Sequence, residues 1–321
     1  MGISMAVGAR PLVPSRLARR ALSHNGSGRR PTTVIGGYIA LTKPRIVELL
    51  LVTTVPTMVL AQKGWPATWL VVLTLVGGSL AAGGANALNM VIDRDIDKLM
   101  ERTQGRPLVT GLIAPRNAVI FAWILEIVAF AILWVGANLL SALLTFSATM
   151  FYVVIYSVWL KRTSRQNIVI GGAAGAVPVL VGWSAVTNQV SWAAFLLFLI
   201  IFLWTPPHFW ALAIRHSDDY KAAQVPMLPT VVPMKQTLWA MLRYTVALVV
   251  ASLILLPVAD LGVIYGVSAA VLGAFFLLGI GYLWRTPTEA VSMRVFSYSI
   301  SYISLLFGAI TVDVLVKYGV S

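Results

Sequence analysis

Nine apolar runs, most of them long enough to cross a lipid bilayer, constrain this chain more than any other feature. They fall near residues 38–61, 67–91, 117–136, 138–159, 167–187, 191–214, 238–258, 262–283 and 295–316. A helix needs roughly 20 residues to cross the hydrocarbon core. Backbone in lipid must satisfy its own hydrogen bonds, which leaves helices or a closed barrel. The runs are continuous rather than alternating, so they read as helices. Charged residues make up 11% of the chain and hydrophobic ones 59%, whereas a soluble domain carries about 25% charged residues. Soluble globular folds are excluded. The expected fold class is all-α, a polytopic membrane protein of about nine transmembrane helices. The breaks between runs are short, Gly64-Trp65-Pro66 and Thr187-Asn188-Gln189 among them, so residues 34–321 read as one membrane domain.

The formal charge is +13, but its distribution follows membrane topology rather than a nucleic-acid partner. With the N-terminus cytoplasmic, 22 of the 24 Lys and Arg residues fall on the cytoplasmic side, and only Lys63 and Lys317 fall outside. That asymmetry is the positive-inside pattern. Cysteine is absent, which excludes disulfides and thiolate metal sites. Residues 1–33 hold six arginines and no acid. They are expected to form a disordered basic tail against anionic headgroups, with a mitochondrial targeting segment as the alternative. The expected location is the plasma membrane of a bacterium, and the mitochondrial inner membrane is the alternative.

Six of the 11 acidic residues lie in two short patches. Asp93, Asp95, Asp97 and Glu101 follow the second run; Asp218 and Asp219 follow the sixth. Both runs point inward in this topology, so both patches reach one membrane face. In NMVIDRDIDKLMERTQGRPL, residues 89–108, Asn89, Asp93 and Asp97 are spaced i, i+4, i+8 and line one helix face. Oxygen ligands on one stripe suit a hard cation, Mg²⁺ in particular, which binds a few carboxylates together with substrate phosphates. Arg94, Lys98, Arg102 and Arg106 follow and offer charge-assisted bonds to phosphate. The combination points to a diphosphate site.

The second patch, WTPPHFWALAIRHSDDYKAAQVPMLP, covers residues 204–229. Pro206-Pro207 is expected to kink or open the sixth helix. His208 beside it is an intramembrane ionisable group, which is a functional candidate by default; a packing role stands as the alternative. Asp218, Asp219 and Lys221 repeat the order of acid then base. Lys43-Pro44-Arg45 and Lys161-Arg162, with Tyr156 nearby, read as a basic rim for an anionic substrate. The glycines Gly77, Gly78, Gly83 and Gly84, and the pair Gly171 and Gly175, read as close helix packing.

These residues make the chain resemble the UbiA superfamily of intramembrane prenyltransferases. Asn89-x3-Asp93-x3-Asp97 matches its first aspartate-rich motif. DRDIDKLMERTQGRPL, YSVWLKRTSRQNIVIGG, WTPPHFWALAI and DYKAAQVPMLP resemble its haem-modifying branch, and the likeness runs from about residue 35 to the end. The resemblance implies nine helices around a central cavity with a polar cytoplasmic cap. It implies transfer of the farnesyl group of farnesyl diphosphate to a vinyl group of haem b, with water adding. Haem b is then a substrate, Mg²⁺ the cofactor, and a downstream haem A synthase a possible partner. Asn89, Asp93 and Asp97 would hold the Mg²⁺-diphosphate, with Asp218 and Asp219 as further metal candidates. Arg45, Arg102, Arg106, Lys161 and Lys221 would bind diphosphate. Trp204, His208, Phe209 and Trp210 would face the haem or the allylic cation. The second aspartate motif of the superfamily is depleted here, since Phe209 and Ala213 stand where acids are expected. Competing readings are a prenyltransferase with a quinone or other aromatic acceptor, and a secondary transporter of an anionic metabolite.

Overall fold

The computed structural model describes residues 31–319, and of residues 45–51 it describes the backbone alone. The basic tail is therefore outside the described residues up to position 30, and so is the Arg45 side chain. Thirteen helices and one 3-10 turn, Glu101–Thr103, follow one another, and no strand occurs among the described residues. Helix α1, Val34–Thr42, starts at Thr33, whose hydroxyl accepts the Gly36 N–H at 3.1 Å. Lys43 then adopts a left-handed conformation (φ 49°), and α2, Pro44–Gln62, begins at the proline. The expected span 38–61 is thus two helices. The cause is Pro44, which disfavours helical geometry in the residue before it.

Next come α3, Thr68–Ile92, and the short α4, Arg94–Leu99. Helix α5 is Pro115–Gly136, and α6 spans Leu139–Thr163 from its cap at Asn138. Helices α7, Asn167–Thr187, and α8, Trp192–Arg215, are long; α9, Ser217–Ala222, and α10, Leu228–Val231, are brief. The chain closes with α11, Met234–Val258, α12, Val263–Arg285, and α13, Glu289–Tyr318. Eight described helices are long and apolar enough to cross a membrane: α3, α5 to α8 and α11 to α13. Helix α2 adds 19 residues alongside them. The chain is a multi-pass membrane protein, with apolar side chains such as Val135 (87% exposed) and Val263 (79%) turned outward toward lipid.

Small residues set the close contacts. A Cβ on Gly84 would sit 2.9 Å from the Ala122 carbonyl, and one on Gly77 would sit 2.7 Å from Leu133, so α3 and α5 approach at backbone distance. This is small-residue packing of the kind membrane helices use. Helix α8 runs unbroken through Pro206 and Pro207, so the opening expected of the double proline does not occur. Proline is tolerated in membrane helices when neighbouring helices hold the segment in place, and here Trp204 donates to the Ser299 carbonyl of α13 at 2.7 Å.

Charge sorts to the two ends of the bundle. Lys63 and Lys317, the two basic residues expected outside, both lie over the Tyr318 ring, at 5.4 and 5.3 Å. Lys317 also pairs with Asp260 at 2.7 Å. Lys43, Arg106 and Lys161 gather with the carboxylates at the far end of α3. Orientation is testable in this Cys-free chain, because Gln104, Gln224 and Asn188 are all exposed. Single cysteines at Gln104 and Gln224 are expected to label from the cytoplasm, and one at Asn188 from outside. Labelling of Gln104 from outside would invert the topology.

Candidate active site

The site begins where α3 ends. Asp93 leaves helical geometry (ψ 6°), yet its N–H still reaches the Asn89 carbonyl at 2.9 Å, and the Asp97 N–H reaches Asp93 at 2.8 Å. The helical spacing of Asn89, Asp93 and Asp97 therefore survives the change of helix, and all three are buried. Asp95 points the other way. Its side chain is exposed and forms a two-pronged pair with Arg162 at 2.7 and 2.7 Å. That guanidinium lowers the Asp95 carboxyl to about 2.

Asp93 Oδ2 accepts from Asn89 Nδ2 at 2.8 Å and from Lys161 Nζ. Asn89 is itself held on both sides: Lys43 Nζ donates to its Oδ1 at 3.2 Å, and its Nδ2 reaches Ser157 Oγ at 3.0 Å. Asp97 pairs with Arg106 at 2.6 Å. The Thr103 hydroxyl donates to the Asp97 carbonyl at 2.9 Å, which folds the segment carrying Arg102 and Arg106 back over the cluster. Burial, with Arg106 and Lys161 beside it, lowers Lys43 to about 7. Asp93 Oδ1 is buried and has no hydrogen-bond partner.

Helix α6 supplies the opposite wall through an unusual local winding. Residues Phe151–Leu160 form a π-helix, in which the Lys161 N–H reaches back to the Tyr156 carbonyl. On an α-helix positions 152 and 161 would lie about 180° apart. At roughly 4.4 residues per turn of π-helix they fall on one face. Tyr152, Tyr156 and Lys161 accordingly all line the same cavity. The two tyrosine rings stack at 5.4 Å. Tyr156 lies so close to α7 that a Cβ on Gly171 would sit 2.3 Å from its ring.

The cavity holds ≈ 500 Å³. At its polar end are Lys43, Asn89, Asp97, Arg102, Arg106 and Lys161; along its length are Gly78, Ala82, Gly175, Val181, Trp204 and Phe209. Its wall on α3 runs from Asn89 back to Leu75, a rise of about 21 Å. The charged end thus continues into a long, mainly apolar tube.

Residues 50–306 match the UbiA prenyltransferase family. The chain belongs to that family. It is 53% identical over 281 residues to a protoheme IX farnesyltransferase of Renibacterium salmoninarum, covering 86% of this chain and 88% of that one. It is 50% identical to the protoheme IX farnesyltransferase of Frankia alni, covering 88% and 99%. Among solved structures it is similar to a digeranylgeranylglyceryl phosphate synthase, with a TM-score of 0.73 at 17% identity, covering 88% of this chain and 99% of the other. It is also similar to a UbiA homologue from Archaeoglobus fulgidus bound to DMAPP and Mg²⁺, with a TM-score of 0.61 at 18% identity, covering 84% and 100%. These two likenesses show the UbiA fold.

Other residues singled out in the sequence of this UbiA chain stand apart from the cavity. The Asp218 side chain is fully solvent-exposed, with Lys221 at 3.9 Å; neither residue lines the cavity, nor does Asp219. The reason is the amphipathic turn of α9, which directs the buried Tyr220 inward instead. Trp204 and Phe209 line the cavity, but Trp210 faces α11, edge-on to Tyr244 at 5.6 Å. His208 is stacked between Trp204 at 4.2 Å and Phe296 at 4.5 Å, with Nδ1 2.7 Å from Ser299 Oγ. It does not line the cavity. Residues absent from the expected set include Lys43 as an Asn89 partner, Tyr152, Ser157 and Tyr220. Glu126 is another: it is buried in α5, accepts from Thr149 at 3.1 Å, and its only signal is an acid inside an apolar run.

Proposed function

We infer that this chain is a protoheme IX farnesyltransferase. On this reading it joins the farnesyl group of farnesyl diphosphate to a vinyl group of haem b, with addition of water, to give haem O and diphosphate. The observation that carries the reaction class is a cavity with Asn89, Asp97 and four cations at one end and a mainly apolar tube behind them, with Asp93 buried just beneath its wall and paired with the lining Lys161. Roughly half-identical relatives of that name, matched over most of both chains, support the acceptor.

The donor set fits a hard divalent cation. The described residues hold no cluster of three or more His, Cys, Asp or Glu side chains, and two carboxylates with a carboxamide leave room for substrate oxygens, as Mg²⁺ prefers. Asp93 Oδ1, buried and without a hydrogen-bond partner, fits the role of a cation ligand. Asn89, Asp93 and Asp97 would hold it. When bound, Mg²⁺ supplies charge neutralisation to the departing diphosphate.

Lys43, Arg102, Arg106 and Lys161 bind the phosphate oxygens and stabilise the charge that develops as the C1–O bond breaks. The allylic cation is then exposed to the faces of Trp204 and Phe209, which stabilise it by cation–π attraction. The apolar tube keeps bulk water away until C1 bonds the vinyl carbon. Water then adds to the new cation and releases one proton. The bilayer accommodates the farnesyl chain and the porphyrin of the two amphipathic substrates, and a haem A synthase is the expected consumer of the product. The plasma membrane of a bacterium is the proposed location.

Incubation of the purified protein with haem b, farnesyl diphosphate and Mg²⁺, followed by mass spectrometry of the extracted haem, tests this reading. A farnesylated, hydrated haem is expected; a prenylated quinone in a competing incubation, with haem unchanged, would overturn it. The tube also sets chain length. A Cβ on Gly78 or Gly175 meets nothing within 4 Å, so Gly175→Leu is expected to fold. The variant should raise KM for farnesyl diphosphate about tenfold, the effect of lost apolar contact worth roughly 1–2 kcal/mol. Geranyl diphosphate should lose far less. Equal effects on both donors would place the chain elsewhere.

A further inference from the structure

A second concavity, ≈ 600 Å³, lies between α8 and α11 on the far side of α8 from the substrate cavity. The exposed Arg165, Gln166 and Gln236 form its mouth, and Leu203 and Trp210 of α8 and the exposed Arg243 of α11 line the rest. Arg243 sits a rise of about 13 Å beyond Met234 on α11, within a helix apolar enough to span the membrane. Neither Arg165 nor Arg243 has an acidic partner among the described residues, and no acid lines the groove. The one side-chain hydrogen bond of Arg243 among those residues runs from Nε to the Trp239 carbonyl at 3.4 Å. Trp210 is 1% exposed, and its indole N–H has no acceptor.

We propose that this groove binds one anionic phospholipid from the leaflet on the active-site side. An exposed arginine in the cytoplasmic third of a membrane-spanning helix, without a carboxylate partner, favours an anionic group of the lipid headgroup region. A phosphodiester accepts the planar guanidinium fork in two bonds. Arg165 at the mouth and Arg243 below it bracket the headgroup, and the unmatched indole N–H supplies a further donor. Leu203 and Ala247 continue the groove as an apolar bed for an acyl chain. A zwitterionic headgroup carries its own cation, which competes with the arginines, so the groove selects net negative lipid.

The test uses the full chain in bilayers of phosphatidylcholine with or without phosphatidylglycerol, and native mass spectrometry counts the lipid retained after detergent washing. Wild type is expected to retain one phosphatidylglycerol with about tenfold preference over phosphatidylcholine, the size of one charge-assisted contact. The preference should vanish in Arg165→Gln/Arg243→Gln. Trp210→Phe removes the N–H together with the five-membered ring while keeping an aromatic ring in place, and it should weaken retention at least threefold, which keeps the test open if the double variant fails to fold. Equal retention of both lipids by wild type would overturn the proposal, as would an undiminished preference in the variants. Displacement of the lipid by inorganic phosphate alone would reassign the groove to a free anion.

Discussion

Asp93→Asn is expected to lower kcat/KM by a hundred- to a thousandfold, corresponding to about 3–4 kcal/mol of lost electrostatic stabilisation. The substitution is nearly isosteric, and the Asn89 contact can persist. What disappears is the charge on a carboxylate whose Oδ1 has no partner in the protein. Asp93 is completely buried and paired with Lys161, so some loss of stability accompanies the loss of rate, unlike what an interfacial helix end alone would lead one to expect. The control is Asp95→Asn. Asp95 is largely exposed and holds Arg162, and a surface pair of this kind contributes about 0–1 kcal/mol. Its activity should remain within a few-fold of wild type. Steady-state rates on folded, detergent-purified protein distinguish the two, and equal activities would remove Asp93 from the metal–diphosphate site.

The fold was legible because lipid imposes long apolar runs, and runs of that length admit few architectures. The stripe Asn89, Asp93, Asp97 was legible because its spacing matches the helix period, and that period persists through the break at Asp93. Features that do not alter apolar periodicity escaped. The segment 151–160 is hydrophobic on nearly every face, so nothing in its pattern separates an α-helix from the π-helix that carries Tyr152 and Lys161 to one wall. The split at Lys43 does have a signal in Pro44, one that the basic-rim reading of Lys43-Pro44-Arg45 leaves unused.

The second acidic patch shows a different limit. Asp218 and Asp219 come to the correct end of the bundle, yet direction along α9 decides which residue faces inward, and Tyr220 does. Likewise Trp204, His208, Phe209 and Trp210 sit on one short stretch of α8 but face three surroundings: the cavity, the packed contact with α13, and the groove beside α11. Sequence proximity identified the helix. Only its rotation against its neighbours assigned the roles, and a helix apolar all round does not reveal that rotation.

Lys161→Met should produce the second large effect, on stability and rate together. Lys161 donates to Asp93 from a largely buried position, and breaking such a pair by removing one partner costs about 3–5 kcal/mol, because the other charge is left stranded. Lys161 also faces the cavity beside Arg102 and Arg106, so its removal takes one cation from the diphosphate and should lower kcat/KM by about a hundredfold. The two contributions separate in the double variant Asp93→Asn/Lys161→Met. With both charges gone no ion is stranded, and the melting temperature in detergent should return most of the way to wild type as a positive coupling between the two positions. Activity should not return, because neither the anionic oxygen nor the ammonium is restored. A pair that served only the fold would behave differently: the double variant would regain rate and stability in parallel, and the catalytic assignment of both residues would fall.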